Sequence, residues 1–381
     1  MKPVDGDAGQ MCTRCVMDTS VSGIEFDADG VCNFCRAAEI RLRRDLFVGP
    51  AHAGKLEQLL SSIKKAGEGR RYDCVIGVSG GVDSSYTAWL VKRKYGLRPL
   101  AVHLDNGWNS ELAVQNIERL LKSLDIDLHT HVIDWEEFRD LQLSFLKASI
   151  ANSEIPTDHG ITALLYREAA KHGIKYIISG GNLATEVVMP ESWMHDAKDL
   201  RLLKAVHRRF GTKRLKTFPM ISYRRLAWYI LVRRIKIVGI LNYVEYDKDR
   251  AAETLEREIG WRRYEAKHFE SIYTRFFQGY LLPRKFGMDK RLPHCSSLIV
   301  SGLMTRDDAL QELQRAPYNP DIAREDVAYV RKKFGLSEQE FDAIMAAPPK
   351  PASDFPNTTA WIERLQPVVA WVKDIATARD R

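Results

Sequence analysis

The stretch that decides the fold is Val75-Ile76-Gly77-Val78-Ser79-Gly80-Gly81-Val82-Asp83-Ser84-Ser85. An apolar run ends in two glycines, and an acid and two hydroxyls then open an amphipathic segment. This order predicts a buried strand that turns directly into the first turn of a helix. Glycines let the backbone pass close to a ligand, and the unpaired N–H groups of a helix start bind phosphate. No Gly-Lys-Ser/Thr follows, so the loop is not of the Walker type.

The segment from Ser79 to Ser84 resembles the Ser-Gly-Gly-x-Asp-Ser loop of the N-type ATP pyrophosphatases, the PP-loop superfamily. In those enzymes the loop holds the β- and γ-phosphates of ATP as a leaving unit and exposes the α-phosphorus to an oxygen nucleophile. The alternative is a glycine-rich turn that binds nothing; six matching positions in a strand–turn–helix context favour the loop. The resemblance implies that ATP is bound by Ser79, Gly80, Gly81, Val82, Asp83, Ser84 and Ser85.

Length and composition set the broad class of the protein. A chain of 381 residues suffices for two or three domains. Its 45% hydrophobic and 28% charged residues are ordinary for a globular enzyme, and its formal charge of +7 suits an anionic substrate without indicating nucleic-acid binding. We find no uncharged apolar run of about 18 residues and no apolar signal core at the start. We therefore expect a cytoplasmic protein that contacts neither membrane nor nucleic acid.

Four of the six cysteines form two Cys-x-x-Cys pairs near the start of the chain, Cys12 with Cys15 and Cys32 with Cys35. This spacing predicts a four-thiolate site, most simply structural Zn²⁺, that ties down a segment too small to fold alone. An iron–sulfur cluster and metal-free thiols remain alternatives. Four thiolates leave no open coordination position, so we do not expect the metal to be catalytic.

An alternation of strands and helices follows the cysteine pairs. We predict strands at about 73–78, 99–104, 128–133 and 176–179. Helices are predicted between them at about 82–95, 110–124, from 135 onward and at 161–172. This pattern indicates an α/β fold with a doubly wound parallel sheet and right-handed crossovers. Ligands of such sheets bind outside the carboxyl ends of the strands.

Polar residues follow the predicted strands where this rule places ligands. Asp105 ends the second strand, and the resemblance implies that it contacts adenosine; a simple Asn-Gly turn is the alternative. The segment Gly180-Gly181-Asn182-Leu183-Ala184-Thr185-Glu186 ends the fourth strand and resembles the Gly-x-x-Asn-x-Ser/Thr-Glu segment of ammonia-dependent NAD synthetases. That likeness implies that Gly180 and Asn182 bind ATP and that Asp83 and Glu186 hold Mg²⁺. One extra residue separates Asn182 from Glu186 here, and an acid that complements the helix dipole is the alternative for Glu186.

Two further segments attract attention. Asp158 and His159 follow a proline in a predicted loop, where they serve either substrate orientation and proton transfer or, for Asp158, helix capping. The stretch from Asp289 to Ile299 places a charged turn, a proline and a histidine before hydroxyls and an apolar run, as in a lid or substrate loop. We expect it to contact the substrate through Lys290, His294, Ser296 and Ser297.

The alternation ends near residue 190. The basic run from Lys198 to Lys216 is either a solvated face or a cationic wall for a diphosphate. We predict helices at Tyr223–Lys236, Glu253–Ile272, Arg306–Leu313, Glu325–Phe334 and about Thr359–Thr377. The expected units are a zinc-binding segment with the two cysteine pairs (1–40), a PP-loop domain (41–190), a mainly helical substrate or partner region (191–347), and a linker with a C-terminal helix (348–381).

These motifs occur together in one order: Met11–Asp18, the second cysteine pair, Ser79–Ser85, Pro156–His159, Gly180–Asn182 and His294–Ile299. Over residues 11 to 345 the chain thereby resembles the N-acetyl sugar amidotransferases of bacterial surface polysaccharide synthesis. The resemblance implies conversion of an acetamido group on a nucleotide-linked sugar into an acetamidino group. It also implies ammonia from separate glutaminase and synthase-like partner subunits, and it leaves a homodimer open.

The implied mechanism follows from the poor reactivity of an amide. Attack of the amide oxygen on the α-phosphorus of ATP gives an adenylated imidate and pyrophosphate, and ammonia then displaces AMP. Asp158 or His159 would take the proton from ammonia. The main rival is a tRNA-thiolating PP-loop enzyme, for which Cys295 is the one candidate thiol in the second half of the chain. A nucleotide sensor without turnover is the third hypothesis.

Overall fold

A five-stranded parallel sheet organises the part of the chain that the computed structural model describes, residues 9–193, 195–264 and 269–359. The strands lie in the order β3-β2-β1-β4-β5, so the chain reverses its direction of winding between β1 and β4. Ligands of open α/β sheets bind at such a reversal. The strands are β1 (Cys74–Gly77), β2 (Pro99–Asp105), β3 (Asp127–Val132), β4 (Tyr176–Ser179) and β5 (Lys236–Gly239).

The central strand β1 is covered on both faces. Val75 lies opposite Leu100 of β2 and Ile177 of β4, and it packs into one hydrophobic core. Its neighbours Cys74 and Ile76 point to the opposite face and pack into a second core, because successive side chains of a strand alternate. All three are fully buried. The molecule is therefore layered helix–sheet–helix, as the alternation predicts.

Helices flank the sheet and build most of the second half of the chain. Three continue as π-helical turns, at Leu90–Lys94, Trp228–Val232 and Phe277–Phe286. The α-helices are α1 (Asn33–Asp45), α2 (Lys55–Ala66), α3 (Val82–Trp89), α4 (Glu111–Leu124), α5 (Trp135–Ala148), α6 (Ile155–Lys171), α7 (Leu183–Glu186), α8 (Leu200–Phe210), α9 (Tyr223–Ala227), α10 (Lys248–Ile259), α11 (Ile272–Phe276), α12 (Arg291–Val300), α13 (Arg306–Gln314), α14 (Pro320–Phe334) and α15 (Glu338–Ala346).

The doubly wound sheet and its first four strands are confirmed. The prediction that strands and helices stop alternating near residue 190 is wrong. A fifth strand, β5, follows a segment that we predict as one helix, Tyr223–Lys236. Ile237 in β5 is 52% exposed, since the strand lies at the sheet edge. Its four residues follow a basic run and lack the long apolar stretch of a central strand, so pairing with β4 decides its conformation.

Three other boundaries differ from the predictions. Helix α6 begins at Ile155, so Asp158 and His159 lie in its first turns rather than in a loop, and proline is tolerated there. Residues 291–300 form helix α12, not a lid loop. Helix α10 ends before Gly260, whose φ of 65° suits the left-handed C-terminal cap, so the predicted helix Glu253–Ile272 is too long. The predicted helix at 359–377 lies outside the described residues, apart from Thr359.

Thr305 and Ser337 are the N-terminal caps of α13 and α15. Thr305 accepts a hydrogen bond from the Asp308 N–H, and Ser337 forms a reciprocal capping box with Glu340. In the part of the chain that the structure describes, we find no helix with the length and apolarity needed to cross a bilayer.

The cysteine-rich segment packs against the second half of the chain rather than standing apart. Its core contains Val187, Val188 and Trp193, with Leu292 of α12 packed against them. Arg306 of α13 donates hydrogen bonds to the carbonyls of Cys15 (3.1 Å) and Cys12 (3.2 Å). The segment therefore joins the region after β4 to the C-terminal helices.

Glu137 of α5 holds the irregular segment that precedes α9. Its buried carboxylate accepts hydrogen bonds from the N–H groups of Lys216 (2.9 Å), Thr217 (2.9 Å) and Phe218 (3.1 Å). Burial alone would raise the pKa of Glu137, but the three backbone donors outweigh it and the pKa lies below its ordinary value. The charge of this carboxylate therefore stabilises the fold.

We predict that Glu137→Gln lowers the free energy of unfolding at pH 7 by about 1–3 kcal/mol, because the amide satisfies fewer of the three donors. Since the folded pKa is depressed, this contribution is complete above the unfolded value of about 4.3 and is lost as the pH falls through the folded pKa. Urea unfolding at pH 7 and at about pH 3, well below the unfolded pKa, measures both effects.

The matched control is Glu136→Gln, because that neighbouring side chain is 55% exposed. We expect it to change the free energy of unfolding by less than about 0.5 kcal/mol. A destabilisation by Glu137→Gln that remained the same at both pH values would contradict the role assigned to its charge.

Candidate active site

The loop between β1 and α3 requires glycine at position 80. Gly80 has a φ of +82°, and a Cβ there would lie 2.6 Å from the carbonyl oxygen of Ala113. The Gly80 carbonyl accepts hydrogen bonds from Trp261 Nε1 (2.9 Å) and the Tyr264 hydroxyl (3.0 Å). These two side chains fix the turn from behind. Neither was singled out from the sequence, because both lie about 180 residues downstream of the loop.

The start of α3 offers donors for an anion. No side chain caps the helix at Gly81, and the N–H groups of its first turn have no intrahelical partner. The hydroxyls of Ser79 and Ser84 lie 3.1 Å apart at the mouth of the turn. Ser85 is fully buried beneath the loop, which argues against direct phosphate contact by its hydroxyl. Val82 is also buried, so it offers only its backbone N–H.

Asp83 and Glu186 flank the turn that follows β4. A Cβ at Gly180 would lie 3.1 Å from backbone atoms of Asp83, and one at Gly181 would lie 3.9 Å from Glu186 Oε2. Asp83 Oδ1 accepts a hydrogen bond from the Tyr246 hydroxyl, and burial together with this carboxylate raises the pKa of Tyr246. Two carboxylates beside a phosphate loop are the donor set that Mg²⁺ uses with nucleotides, so these residues fit that ion.

Asn182 and Asp105 shape turns at the same edge of the sheet. Asn182 is 4% exposed, and its side-chain oxygen accepts from the Thr185 N–H (3.0 Å), which starts α7. Its Nδ2 has no hydrogen-bond partner among the described residues. Asp105 Oδ1 accepts from the Gly107 N–H (2.9 Å) and so closes the turn after β2. Contact of either residue with ATP stays a prediction.

A cavity of about 670 Å³ lies between the start of α6, the segment after α7 and the residue before α12, and we call it the acid-lined cavity. Glu154 and Asp158, one helical turn apart at the start of α6, form part of its wall. Desolvation within the cleft raises the pKa of half-buried Glu154 to about 8, and the negative charge of Asp158 adds to this shift. Desolvation also raises the pKa of Asp158, although its side chain is more exposed than that of Glu154. Lys290, also on the wall, lies within electrostatic reach of both.

Glu154 was missed from the sequence because the helix was expected to begin at residue 161. A helix start at Ile155 would have placed Glu154 on the same face as Asp158, four residues apart. The sequence signal for this earlier helix start was Pro156, because proline is common in the first turn of a helix.

His159 is placed for structure rather than for proton transfer. It is fully buried, its Nδ1 donates to the Ala197 carbonyl (2.7 Å), and its Nε2 accepts from the Ile221 N–H (3.0 Å). Burial lowers the pKa of His159. The neutral ring, with both nitrogens hydrogen-bonded, connects α6 to Ala197 and Ile221. The expectation that His159 handles a proton is therefore corrected.

The predicted substrate residues of α12 divide into two pairs. Lys290 and His294 line cavities, but Ser296 and Ser297 are fully buried. Ser297 donates to the Pro293 carbonyl (2.8 Å) and accepts from the Val188 N–H (2.9 Å), while Ser296 lies beside Cys15. One side of helix α12 faces the cavity, and the other faces the cysteine segment. The expectation that these two serines contact the substrate is therefore corrected.

The four predicted metal ligands converge. Their Sγ atoms all lie within 4.8 Å of one another, and all four side chains are fully buried. The Cys12–Cys35 and Cys15–Cys32 sulfur distances are 3.9 Å and 3.7 Å. Four metal–sulfur bonds of about 2.3 Å in a tetrahedron place sulfurs about 3.8 Å apart, so the cluster fits Zn²⁺. An iron–sulfur cluster uses the same donor set.

Two family models match this chain. Residues 55–189 match the model described as NAD synthase, and residues 270–366 match the one described as LPS biosynthesis protein WbpG-like, C-terminal domain. The acid-lined cavity lies between the two matched regions. Glu154 and Asp158 come from the first, and Gln278 and Lys290 come from the second.

Individual relatives are distant. An uncharacterized protein of Methanocaldococcus jannaschii is 23% identical over 277 residues, which are 71% of this chain and 82% of that protein. GMP synthase [glutamine-hydrolyzing] of Pyrobaculum aerophilum is 28% identical over 176 residues, 46% of this chain and 33% of that enzyme. Among solved structures, the NH3-dependent NAD synthetase of Campylobacter jejuni is 15% identical, with 77% of this chain and 96% of that chain covered and a TM-score of 0.32.

We predict that Gly80→Ala abolishes nucleotide binding, because its Cβ would collide with the backbone of α4 and distort the loop. Isothermal titration with ATP measures the affinity, and circular dichroism reports the fold. The control is Gly96→Ala, where φ is +61° but a Cβ would meet nothing within 4 Å. Both variants carry backbone strain of about 1 kcal/mol. Equal loss of ATP affinity in the two would show that strain, not the shape of the loop, is responsible.

Proposed function

The chain belongs to the WbpG-like family of the PP-loop superfamily, and from this premise we propose that it is an ATP-dependent amidotransferase. Its substrate is a nucleotide-linked N-acetyl sugar, and its products are the acetamidino sugar, AMP and pyrophosphate. The observation that carries the proposal is a cavity lined by both matched regions, in a chain whose lysine-free glycine loop begins helix α3. An ATP-using enzyme of the ligase type agrees with this cavity and with the loop.

The chemistry must activate an amide, whose carbonyl is a poor electrophile and whose oxygen is a poor leaving group. The acetamido oxygen attacks the α-phosphorus, the bond to the β-phosphate breaks, and pyrophosphate leaves. Ammonia then adds to the activated carbon, and AMP leaves with the former amide oxygen. The N–H groups at the start of α3 and the hydroxyls of Ser79 and Ser84 stabilise the charge on pyrophosphate.

Asp83 and Glu186 would hold Mg²⁺, which neutralises phosphate charge when bound. The Tyr246 hydroxyl orients Asp83 by donating to its Oδ1. Gly180 supports the same arrangement, because a larger residue would press on the backbone of Asp83.

Asp158 is the proposed proton acceptor for the ammonia step. Its pKa of about 6 lies just below neutral pH. The carboxyl is therefore ionised at pH 7 but still basic enough to accept a proton. Glu154, whose pKa is raised to about 8, retains a proton under the same conditions and can donate a hydrogen bond to its neighbour. The pair therefore divides the roles of donor and acceptor within the acid-lined cavity.

Ammonia is proposed to come from a separate glutaminase and a synthase-like partner subunit. All six cysteines of the chain are buried, so none is exposed as a glutaminase nucleophile. The relative that is a glutamine-hydrolyzing GMP synthase is matched over only 33% of its length.

The same burial weighs against the rival, a tRNA-thiolating enzyme. Sulfur transfer needs an accessible thiol or cluster, whereas Cys295 is 2% exposed and the four clustered cysteines are fully buried. Zinc at that cluster is proposed to be structural, because a closed tetrahedral site offers no position to a substrate.

We expect incubation with ATP, Mg²⁺, ammonium and a panel of UDP- and CMP-linked N-acetyl sugars to yield a product about one dalton lighter than its substrate, since NH replaces O. Mass spectrometry detects the product, and AMP and pyrophosphate should form in equal amounts. Asp83→Asn should reduce turnover by about 10²-fold or more through lost phosphate stabilisation. Asp249→Asn, an exposed acid on α10, is the control. Pyrophosphate release that requires RNA instead of a sugar nucleotide would overturn the proposal in favour of the rival.

Removal of the structural metal should destabilise the fold. We expect the purified protein to contain one zinc per chain by mass spectrometric metal analysis. Cys32→Ser should lose the zinc and lower the thermal midpoint, because metal binding contributes directly to folding of such segments. Cys74→Ser serves as the control, since that buried cysteine lies outside the cluster. Iron and acid-labile sulfide in place of zinc would contradict the assignment.

A further inference from the structure

A second cavity, of about 580 Å³, adjoins the acid-lined cavity and shares Lys290 and Gln278 with it. Basic side chains predominate on its wall, so we call it the basic cavity. Four basic and two acidic residues line it: Lys248, Arg275, Lys290, Arg291, Asp289 and Glu312. The acid-lined cavity has no such basic excess, since it is lined by three basic and four acidic residues, of which Glu154 retains its proton: Arg41, Lys198, Lys290, Glu154, Asp158, Glu191 and Asp196. An anionic ligand is therefore attracted to the basic cavity.

Two of these cations are available to a ligand. Arg275 is paired with Asp326 through two hydrogen bonds of 2.6 Å, and Arg291 is paired with Asp289 at 2.7 Å. Lys248 is half-buried and makes no hydrogen bond or ion pair to any residue that the structure describes. Lys290 Nζ contacts the Met189 sulfur at 3.4 Å, a weak acceptor that an anion would replace.

Two residues of the basic cavity are close in sequence to residues that contact the phosphate loop. Lys248 follows Tyr246, whose hydroxyl donates to Asp83, by two residues. Phe269 also lines the cavity, and its neighbour Glu270 lies 3.4 Å from where a Cβ of Gly81 would be. The wall of the basic cavity is therefore connected to the loop through Tyr246 and Glu270.

The far end of the cavity offers a fixed aromatic ring. Tyr318 packs so closely on the backbone of Gly279 that a Cβ there would lie 2.8 Å from the ring. Its hydroxyl donates to Asp326, which fixes the ring from the other end. A ring held in this way is a surface on which a nucleobase stacks.

We propose that the basic cavity binds the nucleoside diphosphate of the sugar substrate, with Lys248 and Lys290 at the two phosphates and Tyr318 at the base. This inference rests on the proposed function and narrows its substrate to sugars linked through a diphosphate. Two separate lysines match two phosphates, because each ammonium–phosphate contact is a charge-assisted hydrogen bond. A CMP-linked sugar has one phosphate and would use only one of them.

The test is equilibrium binding at a second site, with the phosphate loop first saturated by α,β-methylene ATP. The probes are UDP, GDP and dTDP, with CMP as the single-phosphate comparison, titrated by calorimetry. We expect one diphosphate to bind more tightly than CMP. Lys248→Ala and Lys290→Ala should each weaken that binding by about tenfold or more, the cost of losing a charged hydrogen bond. Tyr318→Leu should weaken binding of the nucleotide but not of pyrophosphate.

Two control variants separate this site from its neighbours. Arg250→Ala removes an exposed cation from the same helix as Lys248, and Lys198→Ala removes a lysine from the acid-lined cavity. Both should change the affinity by less than about twofold. A loss with Lys198→Ala and none with Lys248→Ala would overturn the inference.

Failure of this inference is distinguishable from failure of the proposed function. If amidination occurs while Lys248→Ala and Lys290→Ala keep the Michaelis constant for the sugar nucleotide, the site is wrong and the function stands. If no sugar nucleotide binds and no amidination occurs, both are overturned.

Discussion

The carbonyl of Gly80 is fastened from behind by the indole of Trp261 and the hydroxyl of Tyr264, and the rest of the site depends on this constraint. A left-handed residue at the tip of β1 turns the chain sharply enough for α3 to begin at Val82. The N–H groups of that first turn then have no intrahelical partner. The two aromatic residues follow α10, so the second half of the chain stabilises a loop made by the first.

Other parts of the site also depend on contacts between distant parts of the chain. Gly180 brings the end of β4 against Asp83, and Asn182 starts the short helix α7 that carries Glu186. Ser297 of α12 then holds the segment after α7 through the N–H of Val188. On its other side, α12 packs beside the cysteine cluster. A metal at that cluster would therefore stabilise the frame of the cavities while remaining closed to substrate.

The two cavities meet at Lys290, where their charges differ. Acids on α6 surround this lysine on one side, and basic and aromatic side chains lie on the other. The proposed reaction between a phosphate-bearing sugar, ATP and ammonia needs two chemically different surroundings at one point. Burial supplies part of that difference, because it raises the pKa of the Glu154 carboxyl and lowers that of the Lys290 ammonium.

Local patterns were sufficient for the parallel sheet, the phosphate loop and the four convergent cysteines. In each, the physical cause lies within a few residues: an apolar run before glycines, or thiols at knuckle spacing. Local patterns failed where a distant partner decides the outcome. Strand β5 exists because it pairs with β4, and His159 is structural because Ala197 and Ile221 occupy both of its nitrogens.

By itself, then, the sequence determined the first four strands, the turn from β1 into α3 and the convergence of the cysteine pairs, because hydrophobic periodicity and turn residues act locally. Only the tertiary structure decided which faces of α6 and α12 reach the cavities. It turned Ser296 and Ser297 away and brought Glu154 and Lys248 in. Contacts with distant residues, such as Ile221 for α6 and Val188 for α12, set the rotation of each helix about its axis, and no local pattern contains that information.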